Sequence, residues 1–190
     1  RVGITEERLH QVEEYFAKHG GKTILIGRFI GGLVITLLAF ASIPLGTAVG
    51  AAMPWVDQEN LGPFVFSYYA YPFFVFGALN MLVIGLIMFT VGNLTRSNIA
   101  TYVTFAALFV LYLVGNTLLS QPEWREIVAI GDPFGINAYG EVTRYWTPAE
   151  QNTRVVPMEG TLLINRLLWL GIAAGLFVVN LFAFSFRARG

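Results

Sequence analysis

The sequence predicts an all-α membrane protein: a polytopic helical bundle of about four transmembrane helices, with an N-terminal amphipathic helix and a long outer loop that carries short helices. Hydrophobic residues make up 55% of the 190-residue chain. Charged residues make up only 13%, whereas a soluble domain averages about 25%. The apolar runs are long and lack the alternation of barrel strands, so a helical bundle is expected rather than a β-barrel.

The first 22 residues form the first predicted unit, a cytoplasmic amphipathic helix that precedes a transmembrane domain of residues 23–190. Apolar residues recur at helical spacing between Leu9 and Phe16, with charges on the opposite face. Gly20 and Gly21 are predicted to end this helix. The pattern favours a helix lying on the membrane surface. The alternative is a docking face for a cytoplasmic partner.

Four stretches are long enough to cross a bilayer, which takes roughly 20 apolar residues per helix. They are residues 23–53, 64–92, 99–119 and 162–184. Lys and Arg indicate the orientation, because basic residues gather in the cytoplasmic loops. With four crossings, the basic residues before the first span, in the turn between the second and third spans, and after the last span all fall on one side. Both termini are therefore expected in the cytoplasm.

Residues 120–161 form a loop on the other side, and loops of this length tend to be functional or separately folded. Short helices are predicted in QPEWREIVAI and INAYGEVTRYW, a turn at DPFG, and a capping box in TPAE, where Glu150 follows the N-cap Thr147 by three residues. A lid resting on the outer leaflet is expected, and an outer gate is the alternative. The candidate gate or lid residues are Asp132, Arg144, Tyr145, Trp146 and Arg166.

Prolines and glycines inside the spans predict kinks and close helix contacts. Pro44 and Pro72 each remove a backbone hydrogen bond, which is found both along transport paths and in ordinary packing. Glycines four residues apart let helix backbones approach closely, either within one bundle or at a subunit interface. The candidate helix-packing pairs are Gly27 with Gly31, Gly46 with Gly50, and Gly171 with Gly175.

Polar side chains are few within the spans. Arg28 and Arg166 lie near span ends and are expected to extend toward the lipid headgroups. Asn80 lies deeper, and Asn180 lies toward the inner end of its span. No span has an acid at its centre, so a proton relay or a sodium site built on buried carboxylates has no residues to use. This pattern argues against an ion-coupled transporter.

The sequence offers no candidate catalytic, cofactor-binding or metal-binding residues, and an enzyme is not expected. It has no cysteine and two histidines, His10 and His19. Gly21-Lys22-Thr23 matches the end of a phosphate-binding loop, but Phe16 stands where its first glycine is required and a charged helix precedes it. Any ATP must therefore be used by another polypeptide. The zero net charge gives no case for a nucleic-acid partner.

Three segments carry a family resemblance: LGPFVFSYYAYPFFVFGALNMLVIGLIMFTVGNLTRSNIATYV, DPFGINAYGEVTRYWTPAEQNT and GTLLINRLLWLG. They resemble the ABC-2 type permease family over about residues 29–190, most closely the bacterial branch whose permease halves are joined to a metallo-aminopeptidase-like domain. The resemblance implies a six-helix permease half-unit, of which the four spans here are the last four. It also implies a separate ATPase. The zinc-protease motif H-E-x-x-H does not occur in this sequence.

The first 31 residues, within RVGITEERLHQVEEYFAKHGGKTILIGRFIGG, resemble a different family, the DedA membrane proteins implicated in lipid transport. That family has a charged helix, His-Gly, and GRFIPGVR leading into a re-entrant membrane segment. Arg28-Phe29-Ile30 match, whereas Gly31 replaces the proline and Leu33-Val34 stand where the closing arginine is expected. The resemblance implies a seam between two family patterns near residue 31.

The function expected from the first resemblance is that of a permease subunit of an ABC-2 type transporter, moving substrate across the bacterial cytoplasmic membrane. The expected partners are a cytoplasmic ATPase, a second permease unit and membrane lipids, with no cofactor on this chain. The candidate ATPase-coupling residues are Lys22, Arg28 and Arg96. The alternatives are a DedA-like protein that transports or scrambles lipid, and a membrane protein with a purely structural role.

Overall fold

The computed structural model describes residues 6–57 and 62–183, and among residues 6–19 it describes the side chains of His10 and Glu14 alone. The described residues form helices joined by turns, with no strand among them. Four helices are long and apolar enough to cross a membrane, as predicted. They span Gly20–Ala51, Phe66–Thr95, Asn98–Leu118 and Gly160–Ala183.

The first helix, α1 (Glu6–Ala51), is continuous. The predicted helix end at Gly20 and Gly21 is wrong, because α1 runs through both residues. A glycine inside a helix costs only about 1 kcal/mol, whereas backbone freed from a helix inside an apolar layer loses its hydrogen-bond partners. Residues 27–33, where the DedA pattern leads into a re-entrant segment, are helical and belong to α1. The predicted stripe from Leu9 to Phe16 lies outside the described side chains, and the division of the chain after residue 22 stays a prediction.

The second membrane-crossing helix changes its winding at Pro72. It consists of α2 (Phe66–Pro72), a π-helical segment (Phe73–Ala78) and α3 (Leu79–Thr95). Proline has no N–H and its ring crowds the preceding turn, and a π turn absorbs such a defect by inserting a residue. The insertion rotates the following residues by about 100° around the axis. Gly77, in this segment, is buried with the Phe40 ring of α1 directly against it.

A tight turn joins α3 to α4 (Asn98–Leu118). Arg96 takes a left-handed conformation with φ of 54°, and its N–H donates to the carbonyl oxygen of Gly92 at 2.9 Å. Ser97 caps α4 by accepting a hydrogen bond from the N–H of Ala100 at 3.3 Å. A side chain at Gly92 would meet the Thr101 hydroxyl, so this glycine lets α3 and α4 approach closely. We call this end of the bundle the turn end.

Three short helices cover the opposite end. They are α5 (Arg125–Gly131), α6 (Ile136–Val142) and α7 (Pro148–Thr153), and we call residues 119–159 the cap and this end the cap end. The predicted turn at DPFG is confirmed, with the Gly135 N–H donating to the Asp132 carbonyl at 3.2 Å. The predicted capping box of Thr147 and Glu150 is also confirmed.

The last helix, α8 (Gly160–Ala183), packs against α3. Val83, Leu86 and Ala173 form the buried apolar core of this contact. Phe29 brings α1 to the same place, its ring centroid lying 5.3 Å from that of Phe89 and 6.3 Å from that of Phe177. Toward the turn end the contact becomes polar. Asn180 is fully buried, donates to the Thr90 hydroxyl at 2.6 Å and accepts from Asn93 at 3.0 Å.

The six glycines of the predicted packing pairs have open space around them. No described residue of another helix lies within 4 Å of the position a Cβ would take at any of them. These glycines therefore pack against no other helix among the described residues, and both packing inside the bundle and a subunit interface stay predictions. The six are Gly27, Gly31, Gly46, Gly50, Gly171 and Gly175.

Candidate functional site: two cavities and a buried arginine

Arg166 of α8 lies buried between the membrane helices and the cap, with 2% of the residue exposed. Its Nε donates to the Asn165 side-chain oxygen at 2.9 Å, and its Nη1 donates to the Asn80 side-chain oxygen at 2.8 Å. The guanidinium carbon lies 5.5 Å from the centroid of the Phe76 ring. Amide oxygens and an aromatic face thus surround the cation. The third nitrogen, Nη2, is buried without a hydrogen-bond partner among the described residues.

Asn165 and Asn80 connect this arginine to the backbone of the cap. The Asn165 amide donates to the carbonyl oxygens of Ala129, Ile130 and Asp132 at 2.8–2.9 Å, which completes the C-terminal end of α5. The Asn80 amide donates to the carbonyl oxygen of Phe134 at 2.8 Å. Each asparagine therefore donates hydrogen bonds from its side-chain nitrogen to the cap and accepts one from Arg166 with its side-chain oxygen. The arrangement fastens the cap to α3 and α8 through one buried cation.

Two cap residues shape the pocket that holds the guanidinium. Gly135 has φ of 71°, and a Cβ there would overlap Nη2 and Cζ of Arg166. Asp132 is buried, and its carboxylate accepts from the N–H groups of Phe134 and Asn137 at 2.9 and 2.8 Å. Asp132 thus holds the turn that presents Gly135 and begins α6, while Gly135 leaves the room that the arginine occupies.

The predicted gate residues separate into two groups. The expectation that Arg166 extends to the headgroups is wrong, because hydrogen bonds to two asparagines and a contact with an aromatic ring hold it inward. Asp132 joins it at the base of the cap, and Trp146 packs against the apolar cap core. Arg144 and Tyr145 lie instead on the cap surface, where Arg144 contacts Glu141 at 3.8 Å and the Tyr145 ring at 5.2 Å. Those two are not part of the buried cluster.

A cavity of about 760 Å³ lies between the cap, the α2 and π-helical segments, and Phe40 of α1. Its walls are mainly apolar and aromatic. Its rim carries Gln151, Asn152 and Arg154. The Tyr68 hydroxyl donates to the Thr153 carbonyl at 2.7 Å and so ties the rim to α2. We call this space the cap-end cavity.

Glu150 stabilises the rim from outside the cavity lining. The backbone N–H of Thr147 donates to its carboxylate at 2.9 Å, and the Thr147 hydroxyl donates to it at 3.0 Å. Arg154 Nη1 lies 3.0 Å from its other oxygen. The pKa of Glu150 lies below its ordinary value. The hydrogen bonds from Thr147 lower it most, and the positive charge of Arg154 lowers it further.

A second cavity, of about 1070 Å³, extends from the turn end between α1, α3 and α4 as far as Phe134 of the cap. We call it the turn-end cavity. Phe40, Asn80 and Met81 line both cavities. The two spaces therefore adjoin at these three residues, and we call this place the constriction. Asn80 belongs to the constriction and to the Arg166 cluster at once.

The candidate coupling residues all lie toward the turn end. Lys22 and Arg96 are exposed, and the Lys22 ammonium lies 5.8 Å from the Phe182 ring centroid. Arg28 is also exposed and lines the turn-end cavity together with Asn93 and Asn98 of the α3–α4 region. The structure thus places Arg28 and the turn beside one cavity, whereas Lys22 lies outside its lining.

Sequence reasoning missed Asn165, Gly77 and the rim of the cap-end cavity. A signal existed for Asn165. Asn165 and Arg166 are adjacent polar residues in an apolar span, and Trp169 follows one turn later, which indicates a helix face that contacts protein rather than lipid. Gly77 could have been flagged by the nearby Pro72. The rim offered no local signal. It depends on how α7 folds back onto α2.

The linings of the two cavities offer aromatic rings, side-chain amides and guanidinium groups. The described residues that line them include no carboxylate and no imidazole. Small-molecule sites typically have mainly apolar walls and volumes of roughly 300–1,000 Å³, and the cap-end cavity, at about 760 Å³, lies in that range. Comparisons of the chain with protein-family models, with curated proteins and with solved structures find no match.

Proposed function

We propose that this chain is a permease subunit of an ATP-driven transporter of the ABC-2 type, which moves a substrate across the bacterial cytoplasmic membrane. One observation carries the proposal: two cavities approach each other from opposite ends of a membrane-crossing bundle and share Phe40, Asn80 and Met81. A subunit that only scaffolds other proteins has no need of such a pair.

The constriction has the features of a closable passage. Phe40 is the bulky member, and its ring rests against Gly77, where even one Cβ would collide with it. The ring also lies 6.1 Å from that of Phe73, so α1 is seated on the π-helical segment. π-helical turns occur often at functional sites. A small displacement of α1 relative to this segment would move the ring and connect the two cavities.

The energy for such a displacement comes, in this proposal, from a separate ATPase at the turn end. Lys22, Arg28 and Arg96 are basic and lie toward that end, which the distribution of basic residues assigns to the cytoplasm. A second permease unit would complete the passage on the open sides of α1 and α4. The residues of α4 are largely exposed along its length.

The passage can be tested with single cysteines, since the natural chain has none. In Met81→Cys, an impermeant thiol reagent added from the cap side should react faster than it does with Val83→Cys. Val83 is fully buried and lines neither cavity. Adding Phe40→Ala should raise the rate at Met81→Cys further and leave Val83→Cys unchanged. Equal, negligible reaction at both positions, with and without Phe40→Ala, would contradict a passage.

The ATPase assignment needs its own experiment. The purified chain is expected to hydrolyse no ATP alone and to co-purify with an ATPase that changes Met81→Cys reactivity when ATP is added. Stoichiometric hydrolysis by the chain itself would refute the proposal. Lipid flipping in liposomes without any nucleotide would favour the DedA-like alternative instead.

A further inference from the structure

The cap-end cavity has a composition that points to a particular class of ligand. We propose that it binds an uncharged amphipathic small molecule, with an apolar ring-bearing body held among the aromatic walls and a hydrogen-bonding head at the rim. The inference deepens the proposed function, because it names the class of substrate that enters the passage from the cap end. The inference rests on the proposed function, although the experiment that tests it measures only ligand binding.

The size of the cavity suits a small molecule. Its volume of about 760 Å³ lies within the range of roughly 300–1,000 Å³ found for small-molecule sites. Phe76 and Tyr139 meet edge to face with ring centroids 5.7 Å apart, so one wall is a fixed aromatic corner. Tyr68 fastens α7 through its bond to Thr153. The cavity is thus preformed rather than dependent on a mobile loop.

Aromatic groups on the wall favour a ligand with rings. Rings that stack or meet edge to face attract one another beyond the effect of the area they bury. Tyr71 also lines the cavity, and its hydroxyl is one of two buried polar side-chain atoms without a hydrogen-bond partner in the described chain. A ligand oxygen or a bridging water at this wall would give the hydroxyl the hydrogen-bond partner whose absence destabilises a buried polar group.

The charges at the rim argue against a ligand with net charge. Arg154 is the one charged side chain in the described lining. Its Nη1 is already paired with Glu150 at 3.0 Å, so an anion would have to compete with a carboxylate that is itself held by Thr147. A cation finds no acid in the described lining. Gln151 and Asn152 remain, and their amides both donate and accept hydrogen bonds.

The test is protection of a cysteine at the rim by a pair of probes that differ in charge. Phenylnaphthylamine is neutral, and anilinonaphthalenesulfonate has the same rings with an added sulfonate. At a concentration of about four times its dissociation constant, the neutral probe should slow the labelling of Asn152→Cys about fivefold. Ala149→Cys lies on the same helix outside the lining and should be labelled at its original rate. The sulfonate, at equal membrane-bound concentration, should protect clearly less.

A second pair of variants shows whether protection comes from the cavity. Ile136 and Ile127 are both exposed on cap helices, but only Ile136 lines the cavity. Ile136→Trp should narrow the cavity and weaken protection, whereas Ile127→Trp should leave protection unchanged. The inference is overturned if neither probe protects, if the sulfonate protects equally well, or if Ile136→Trp leaves protection intact. If the neutral probe protects Asn152→Cys while Met81→Cys does not react with the thiol reagent, the binding site is supported and the passage is rejected.

Discussion

Substitution of Gly135 gives the sharpest test of the Arg166 cluster, because a side chain there would both strain the backbone and displace the guanidinium. Its φ of 71° is left-handed, and the Cβ of Gly135→Ala would occupy the place of the Arg166 guanidinium. The left-handed conformation costs an alanine about 1–2 kcal/mol. Displacing the guanidinium would break at least one of its bonds to Asn165 and Asn80, and a bond to a charged group is worth about 1.5–3 kcal/mol. The free energy of unfolding should fall by roughly 2.5–5 kcal/mol, the sum of the two penalties.

Two other glycines separate these penalties. Gly160 has φ of 55°, and no described residue lies within 4 Å of the place where a Cβ would stand, so Gly160→Ala should lose only about 1–2 kcal/mol. Gly140 lies in α6 with open space and no left-handed strain. Gly140→Ala should be neutral or stabilising by about 0.5–1 kcal/mol. Equilibrium unfolding in mixed micelles measures all three.

A double-mutant cycle with Arg166→Ala completes the test. Without the guanidinium there is nothing for the Gly135→Ala methyl to displace, so the substitution should cost no more there than Gly160→Ala does. The interaction free energy between the two positions should be about 2 kcal/mol or more, within the range found for residues in contact. The reasoning is refuted if Gly135→Ala and Gly160→Ala cost the same in the natural background.

Three further predictions concern other parts of the chain. Asn165→Leu should lower the free energy of unfolding by about 3 kcal/mol or more, measured in the same micelles, because it leaves buried carbonyl oxygens without a donor. Glu150 has a lowered pKa when folded, so its contribution to cap stability should be present above the ordinary carboxyl pKa and lost as the pH falls through the lowered one. Amide exchange of α7 should show this acid-side loss, and Glu150→Gln should remove it; an unchanged pH profile in that variant would contradict the assignment. Gly171→Ile with Gly175→Ile should leave the stability of the isolated chain nearly unchanged, since the described residues leave open space there, and should reduce oligomer size on gel filtration if these glycines form a subunit interface.

The membrane-crossing helices could be predicted because each is a long apolar run, and the bilayer requirement acts on each run independently of its neighbours. The capping box at Thr147 and the turn at Asp132 could be predicted for a similar reason, since both depend on residues within three or four positions. These features appear in the structure close to their predicted places. Each of these features is determined by residues that are close together in the sequence.

The errors arise where a distant contact outweighs a local preference. Gly20 and Gly21 favour a helix end, but the apolar residues that follow need an unbroken backbone, so α1 continues. Arg166 is near a span end, which favours extension to the headgroups, but it is held inward by Asn80, 86 residues away along the chain, and by the room left at Gly135 of the cap. No local window of sequence around Arg166 contains either residue. The cap-end cavity was missed for the same reason.

Asn80 relates the buried arginine to the proposed passage. Its oxygen accepts from Arg166, its amide donates to the cap at Phe134, and its side chain lines the constriction. A rotation of α3 large enough to widen the constriction would therefore stretch bonds to both the cation and the cap. Because the guanidinium is buried, losing that bond without a replacement would be costly. The cap and α8 must then move together with α3, so displacement of α1, which contacts this unit through Phe40 and Phe29, is the less costly way to open the passage.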